Sequence, residues 1–525
     1  MKRTIFLAAA VLVLCSWTNP LTYTDIPDND VIRVGEDYYM VSTTMYYCPG
    51  APIMHSNDLI HWEIVNYIYD CLEDDDNYNL RNGHNAYGKG QWATSLRYAD
   101  GVYYALFIAN DQKDNSYLFT TDDIENGKWS RTKLPLTMHD ASLLFDNDGR
   151  LYSIYGNGDL YIDELEPDGS ALKEGGIHQL LLRTPSEGYM LRSEGSHFYH
   201  IGDYYYILVI DWPWNGVRTE TCWRSKNLLG PYESRTVLQG AFDGRRDGVA
   251  QGAIVDTPDG DWYAIMFQDH GAVGRIPTLQ RVTWADGWPM MGADGVPEKS
   301  FTHRLPECGT DYVWASDEFD SDKLKLVWQW NHKPLDGCWS LTDRRGWLRL
   351  TTGQIATSIM DARNTLTQRT VGPACRSKVL LDASGLRNGD YAGICAFQSR
   401  NCCIGVEVDS LGARWISVKQ TVPEGRGKWR TETVYRKKIK AKRVQLGVDY
   451  DFTRDKAEFR YSLDGIKWTS VNHTLDMKFT LDLFTGYRSA LFCYSTIQTG
   501  GFADFGWFQQ KTMSPSAINP VSVQP

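Results

Sequence analysis

A chain of 525 residues is too long to bury one ordinary core, so two large domains are expected. Its 13% aromatic content, with 19 Trp and 30 Tyr beside 46 Gly, favours a β-rich fold with aromatic surface free to stack on a ligand. A net charge of −11, with no basic run longer than "RKKIKAKR" (Arg436 to Arg443, which reads as the solvated side of a strand), excludes a nucleic-acid partner.

The chain begins "MKRTIFLAAAVLVLCSW", a basic start followed by an apolar run from Ile5 to Leu14. That run is too short to span a bilayer and reads as an export signal, expected over residues 1–19. Cys15 closes it as in a bacterial lipoprotein, but Leu14 stands where a small residue is expected. Soluble export to the periplasm and a lipid anchor at Cys15 on the cell envelope both stay open. No later segment is long and apolar enough for a transmembrane helix. The remaining cysteines are scattered without a CxxC pair, which argues against zinc and leaves any disulfide pairing open.

Residues 20–308 repeat one plan five times, a short turn and then an aromatic-rich strand. The segments are "RVGEDYYMVS", "YADGVYYALF", "DNDGRLYSIY", "HIGDYYYILV" and "TPDGDWYAIM", with turn glycines Gly35, Gly101, Gly149, Gly202 and Gly260. Gly beside Asp between apolar runs signals a hairpin. Polar turns such as "HSNDLIHW" and "TTDDIENGKW" add further strands, so five units spaced 48 to 66 residues apart predict a five-bladed β-propeller.

The innermost strand of each blade lines the axis, and seven to nine residues before the five glycines stand Asp28, Trp92, Asp140, Glu194 and Gln251. Three carboxylates at matching positions suit glycosidic bond cleavage, which needs a protonated acid and an ionised base. Crowding and partial desolvation separate their pKa values, and a third carboxylate can tune the acid. Carboxylates on different blades could stand roughly 6.5–9.5 Å apart, as inversion requires. Trp92, Tyr46, Tyr47, Trp212 and Trp214 are candidate stacking surfaces for a sugar, Arg275 and Gln251 candidate polar contacts. His139 and His197 adjoin the carboxylates and can shape the pocket or serve structure.

Across residues 22 to about 300 the motifs resemble glycoside hydrolase family 43. They are "IPDNDVIRVGEDYYMVS", "HDASLLFDNDG", "SEGSHFYHIGDYYYIL" and "QDHGAVGR". The resemblance implies Asp28 as general base, Asp140 as pKa modulator and orienter, Glu194 as general acid and Arg275 as a sugar contact. It also implies inversion on arabinose or xylose units. The chain departs from the family at "WAT", Trp92 to Thr94, and at Asn29–Asp30. At Gln251 many members carry a histidine associated with an axial metal or water site, which weakens the case for a structural calcium. No cofactor or catalytic metal is expected. The expected activity is removal of terminal α-L-arabinofuranosyl units from a plant hemicellulose such as arabinoxylan or arabinoxyloglucan. A β-xylosidase, and a non-catalytic carbohydrate-binding propeller, are the alternatives.

From Asp311 the pattern changes, and "ASDEFDSDKLKLVWQWNHKPLDGCWSL" resembles the start of the C-terminal β-sandwich of one group of that family. The hairpins in "CIGVEVDSLGARWISVKQ" and "AEFRYSLDGIKWTSV" independently predict a sandwich over 311–515, with a tail at 516–525. Two roles stay open for it: binding polysaccharide and, as the favoured reading, bracing the propeller and lending a loop to the active-site rim. "EDDDN", Glu73 to Asn77, reads as a solvated loop rather than a calcium cluster.

Overall fold

The computed structural model describes residues 15–110, 115–306, 309–425 and 428–518. Regular structure among them is almost entirely β, with one short α-helix at Pro515–Ile518. Five four-stranded antiparallel sheets have Asp30–Val34, Ser95–Ala99, Ser142–Phe145, Tyr189–Ile201 and Ala250–Asp256 as their first strands. Each of these packs beside the next, and the fifth returns to the first, so the sheets close around an axis as propeller blades.

Local chemistry sets each blade. Ala99 pairs with Val102, leaving Asp100–Gly101 as a two-residue turn with φ of 50° and 85°. The turn glycines of all five first hairpins have φ between 61° and 85°, and an added Cβ would meet nothing within 4 Å. Glycine is therefore required for backbone conformation rather than for space. The following strands are apolar on both faces because each blade is covered by its neighbours: Val102–Ile108 is buried at every position after the first.

Cys15–Thr18 pairs with Ser300–His303, and the Asn19 amide donates to Leu279 O (2.8 Å) and Glu298 O (2.9 Å). Residues 15–19, ahead of the domain start expected at residue 20, are thus paired with the chain that follows the last blade. Residues 1–14 of the expected leader lie outside the described residues.

The second half forms two seven-stranded antiparallel sheets. Both hairpins read from the sequence are present, Asn401–Val408 with Arg414–Pro423 and Lys456–Ser462 with Trp468–Asp476. Val379, Leu381, Leu446, Val448, Phe505 and Phe508 fill the buried interior, each burial removing about 1.5–3 kcal/mol worth of apolar surface from water. The "EDDDN" loop is tied by protein partners: Glu73 pairs with Lys133, Asp74 with Lys333, and Asp75 accepts from Tyr78 N.

One sandwich sheet docks on the propeller. Cys48 and Trp330 exchange backbone hydrogen bonds of 2.6 and 3.0 Å, and His332 Nε2, kept neutral by burial, accepts from Ala86 N. Tyr46 and Tyr47 belong to this interface, which corrects their assignment as sugar platforms. They are 0% and 1% exposed; Tyr46 stacks on His332 at 4.7 Å, and the Arg488 guanidinium lies over Tyr47 at 3.8 Å. Apolar burial between the domains takes both rings out of reach of a ligand.

Candidate active site

The residues ahead of the inner strands converge on the axis. Asp28, Thr94, Asp140, Gly195, His197 and Gln251 line one small cavity of about 10 Å³, near the lower limit for a single water. Asp28 and Asp140 are held at φ of 49° and 48°, a left-handed conformation that costs energy for a residue with a Cβ and is common at functional sites. Asp30 lines the same cavity and pairs through Oδ2 with Arg97 Nη1 at 2.7 Å.

Asp28 Oδ1 accepts from Arg275 Nη1 at 2.6 Å. Burial pushes the Asp28 carboxyl up, and the Arg275 charge pulls against that. Arg275 Nε and Nη2 are buried without a protein acceptor among the described residues, which leaves them able to donate to hydroxyls of a ligand.

Glu194 lies in a strand whose pairing shifts on either side of its register partner Ile210. Such bulges re-aim a side chain. Its Oε2 accepts from Asn157 Nδ2 at 2.5 Å and faces His139 Nε2 at 3.3 Å, while Oε1 has no hydrogen-bond partner among the described residues. Gly195, with φ of 65°, donates its N–H to Asp140 Oδ2 at 3.2 Å, so Asp140 grips the backbone directly after Glu194. A Cβ at Gly195 would come within 2.8 Å of the Gln251 side chain, so this position demands glycine for space as well. Gln251 N in turn donates to Glu220 Oε2 at 2.8 Å, a fully buried carboxyl that desolvation pushes up to about 8.

The electrostatics follow from this crowding. Burial, reinforced by the Glu194 and Asp28 charges and opposed by His139, raises Asp140 to about 7. Burial works against a charged His139, but Asp140 and Glu194 outweigh it and hold the imidazole up at about 9. One donor atom each of His139, Asp140 and Glu194 lies within 4.8 Å of the others, a spacing that can hold a cation. Here the same atoms pair with one another.

Trp92 forms a wall, its ring 5.6 Å from Phe484 and 6.1 Å from His139. Phe484 comes from the sandwich and packs its ring 4.7 Å from the Arg275 guanidinium. Asp25 fixes this approach, its Oδ1 accepting from Arg275 N (2.7 Å) and its Oδ2 from Gly486 N (2.8 Å). Phe484→Ala is expected to lower kcat/KM on a nitrophenyl glycoside about tenfold with an unchanged circular-dichroism melt. Unchanged kinetics would show that the ring does not meet substrate. Trp212 and Trp214 lie further along the strand edge from Ile210; Trp214 is 63% exposed, and Arg218 covers Trp212 at 4.6 Å. Among the described residues neither has a hydrogen bond or ring contact with the three carboxylates or their partners; Trp212 Nε1 donates to Gly216 O and Trp214 N to Gly188 O.

Asn157, Phe484, Asp25 and Glu220 escaped the sequence reading. Asn157 had a signal in "GNGD", where Gly156 and Gly158 both take positive φ. Phe484 had none, since its site partners Arg275 and Trp92 stand about 200 and about 400 residues earlier in the sequence.

Three carboxylates on separate blades, beside an arginine and aromatic walls, are the groups that glycosidic bond cleavage requires. The model of Glycosyl hydrolases family 43 matches residues 17–289, and that of the Beta xylosidase C-terminal Concanavalin A-like domain matches 316–511. The chain belongs to glycosyl hydrolase family 43. It is 28% identical to a beta-xylosidase of Formosa agariphila over 96% of this chain and 92% of that protein. A non-reducing end alpha-L-arabinofuranosidase of Bacteroides ovatus is 32% identical over 66% of this chain and 67% of that one. A solved bifunctional GH43-CE protein of Bacteroides eggerthii superposes with a TM-score of 0.88 at 42% identity, covering 95% of this chain. The chain spans 64% of that protein's length.

Proposed function

We propose that the protein removes terminal α-L-arabinofuranosyl residues from plant hemicellulose side chains, with inversion. Glu194 is the general acid, Asp28 the general base, and Asp140 orients Glu194 and sets its protonation. The arrangement around Glu194 carries this reading: Oε2 is anchored by Asn157 and His139 while Oε1 is left for the departing glycosidic oxygen. Across the site the Arg275 charge favours the carboxylate form of Asp28 against its burial, the form that takes a proton from water, and offers two further N–H groups for sugar hydroxyls. The wall made by Phe484 and Trp92 favours a pocket for a chain end over an open groove. Export, to the periplasm or on a lipid anchor at Cys15, is part of this proposal and rests on the pattern of the first fifteen residues.

The second reading is a β-xylosidase acting on xylo-oligosaccharides, favoured by the near full-length match to the Formosa agariphila protein. Parallel assays on nitrophenyl α-L-arabinofuranoside and nitrophenyl β-xyloside separate the two, with faster release from the arabinofuranoside expected. A kcat/KM higher on the xyloside would replace the first reading with the second, and no release from either would overturn both. Proton NMR of the first-formed sugar is expected to show the inverted anomer, and initial retention would contradict the base role of Asp28.

A further inference from the structure

The sandwich sheet that faces away from the docked propeller carries a built, cation-rich surface. Along Ala374–Asp382 the alternation sends Val379 and Leu381 into the core and leaves Arg376 and Lys378 half-exposed on the outer side. Lys378 pairs in register with Gly447, and Gly447 with Arg460, so one rung of the sheet has no side chain between two cations. The Trp468 indole settles into that gap; a Cβ on Gly447 would lie 3.3 Å from its ring. On the other side Trp507 pairs with Leu380, and Lys511 with Arg376. Lys378 Nζ therefore sits between two indoles, 5.8 Å from Trp468 and 6.0 Å from Trp507.

The charges on this face do not cancel. Asp449 is buried and pairs with both Arg376 (2.6 Å) and Arg460. Lys378 and Lys511 have no carboxylate partner among the described residues, and Glu458, the register neighbour of Asp449, pairs with none of the four cations. Burial, and then the charges of Arg376, Lys511 and Arg460, push the Lys378 ammonium down. Such crowding on a protein of net charge −11 is relieved by an anion. The flanking indoles specify what kind: flat apolar faces stack on sugar rings while the ammonium between them meets a carboxylate.

We propose that this face binds an acidic polysaccharide, with a uronate carboxylate received by Lys378 and adjoining sugar rings stacked on Trp468 and Trp507. The propeller docks through the other sheet at Trp330, Arg369 and Arg488, and meets this sheet at the Asp455 turn, where Ala272 N donates to Asp455 Oδ1. Polymer held here leaves the carboxylate pocket free and raises the local concentration of chain ends. A neutral glycan would leave Lys378 without a partner. A nucleic acid would meet the negative remainder of the protein.

The test is affinity electrophoresis of the full chain at low salt in gels containing a uronate-bearing xylan, the same xylan after carboxyl reduction, or double-stranded DNA. Retention by the uronate polymer is expected to exceed that by the reduced polymer about tenfold, and Lys378→Ala is expected to weaken it by a similar factor. Lys378→Arg should preserve it. Trp468→Ala and Trp507→Ala should each weaken it, with hydrolysis of nitrophenyl glycosides unchanged in every variant. Equal retention on both xylans, undiminished retention of Lys378→Ala, or equal retention by DNA would each overturn the proposal. Lys378 is a surface residue, so its variants decide the matter even where a Trp variant misfolds. The readout does not depend on which sugar the propeller cleaves.

Discussion

Replacing Glu194 by Gln is expected to lower kcat on a natural oligosaccharide by about 10³-fold. The amide keeps the size of the side chain and an oxygen to accept from Asn157, so the pocket geometry survives. It cannot hand a proton to the departing sugar oxygen. The loss should therefore depend on the leaving group, shrinking to a few-fold on a dinitrophenyl glycoside that departs without protonation. Steady-state kinetics on both substrates checks this. A loss of equal size on the two would point to a general disruption of the pocket, and full activity on the oligosaccharide would remove Glu194 from the acid role.

Asp140→Asn carries the second large effect, and its two parts run in opposite directions. Activity is expected to fall about 10²-fold, because the carboxylate that tunes and orients Glu194 is gone. Stability at pH 8 is expected to rise. The Asp140 carboxyl titrates at about 7 in the folded protein and near 3.8 when exposed, so the native state holds the extra proton between those values. Stability from this group is full below pH 3.8 and is lost as pH rises through 7, up to ~4 kcal/mol in all. Asparagine carries no charge to desolvate and still offers an oxygen to Gly195 N–H. Thermal melts should show the variant above the wild type by roughly 3–5 °C at pH 8, with the gap closing towards pH 4. A gap that is constant across this range would mean that Asp140 is not the strained carboxyl.

The propeller was legible in the sequence because its information is local. Each hairpin announces itself through a glycine that must take positive φ, and counting back from those glycines finds Asp28, Asp140 and Gln251 around one cavity, with Glu194 directly before Gly195, which lines it too. Arg275 was legible through its motif, and the structure adds its bond to Asp28. The failures share a cause. Tyr46 and Tyr47 follow closely on the Asp28 loop, and nothing in their neighbourhood shows that His332 and Arg488 will cover them. Phe484 reaches the site by the same long-range docking. The pairing of Cys15–Thr18 was likewise illegible, since its partner Ser300–His303 stands at the far end of the propeller sequence.

Asp25 stands three residues from Asp28 and is held from both halves of the chain, by Arg275 N on the propeller side and by Gly486 N and Arg369 Nε on the sandwich side. Two segments that look like interchangeable modules are in this respect one heritable unit. A recombination crossover placed near residue 310 would join a catalytic loop to a foreign clasp and spoil the pocket before it altered anything else. Exchange of sandwiches between such genes should therefore succeed only where the Asp25 loop and the 480–486 loop travel together.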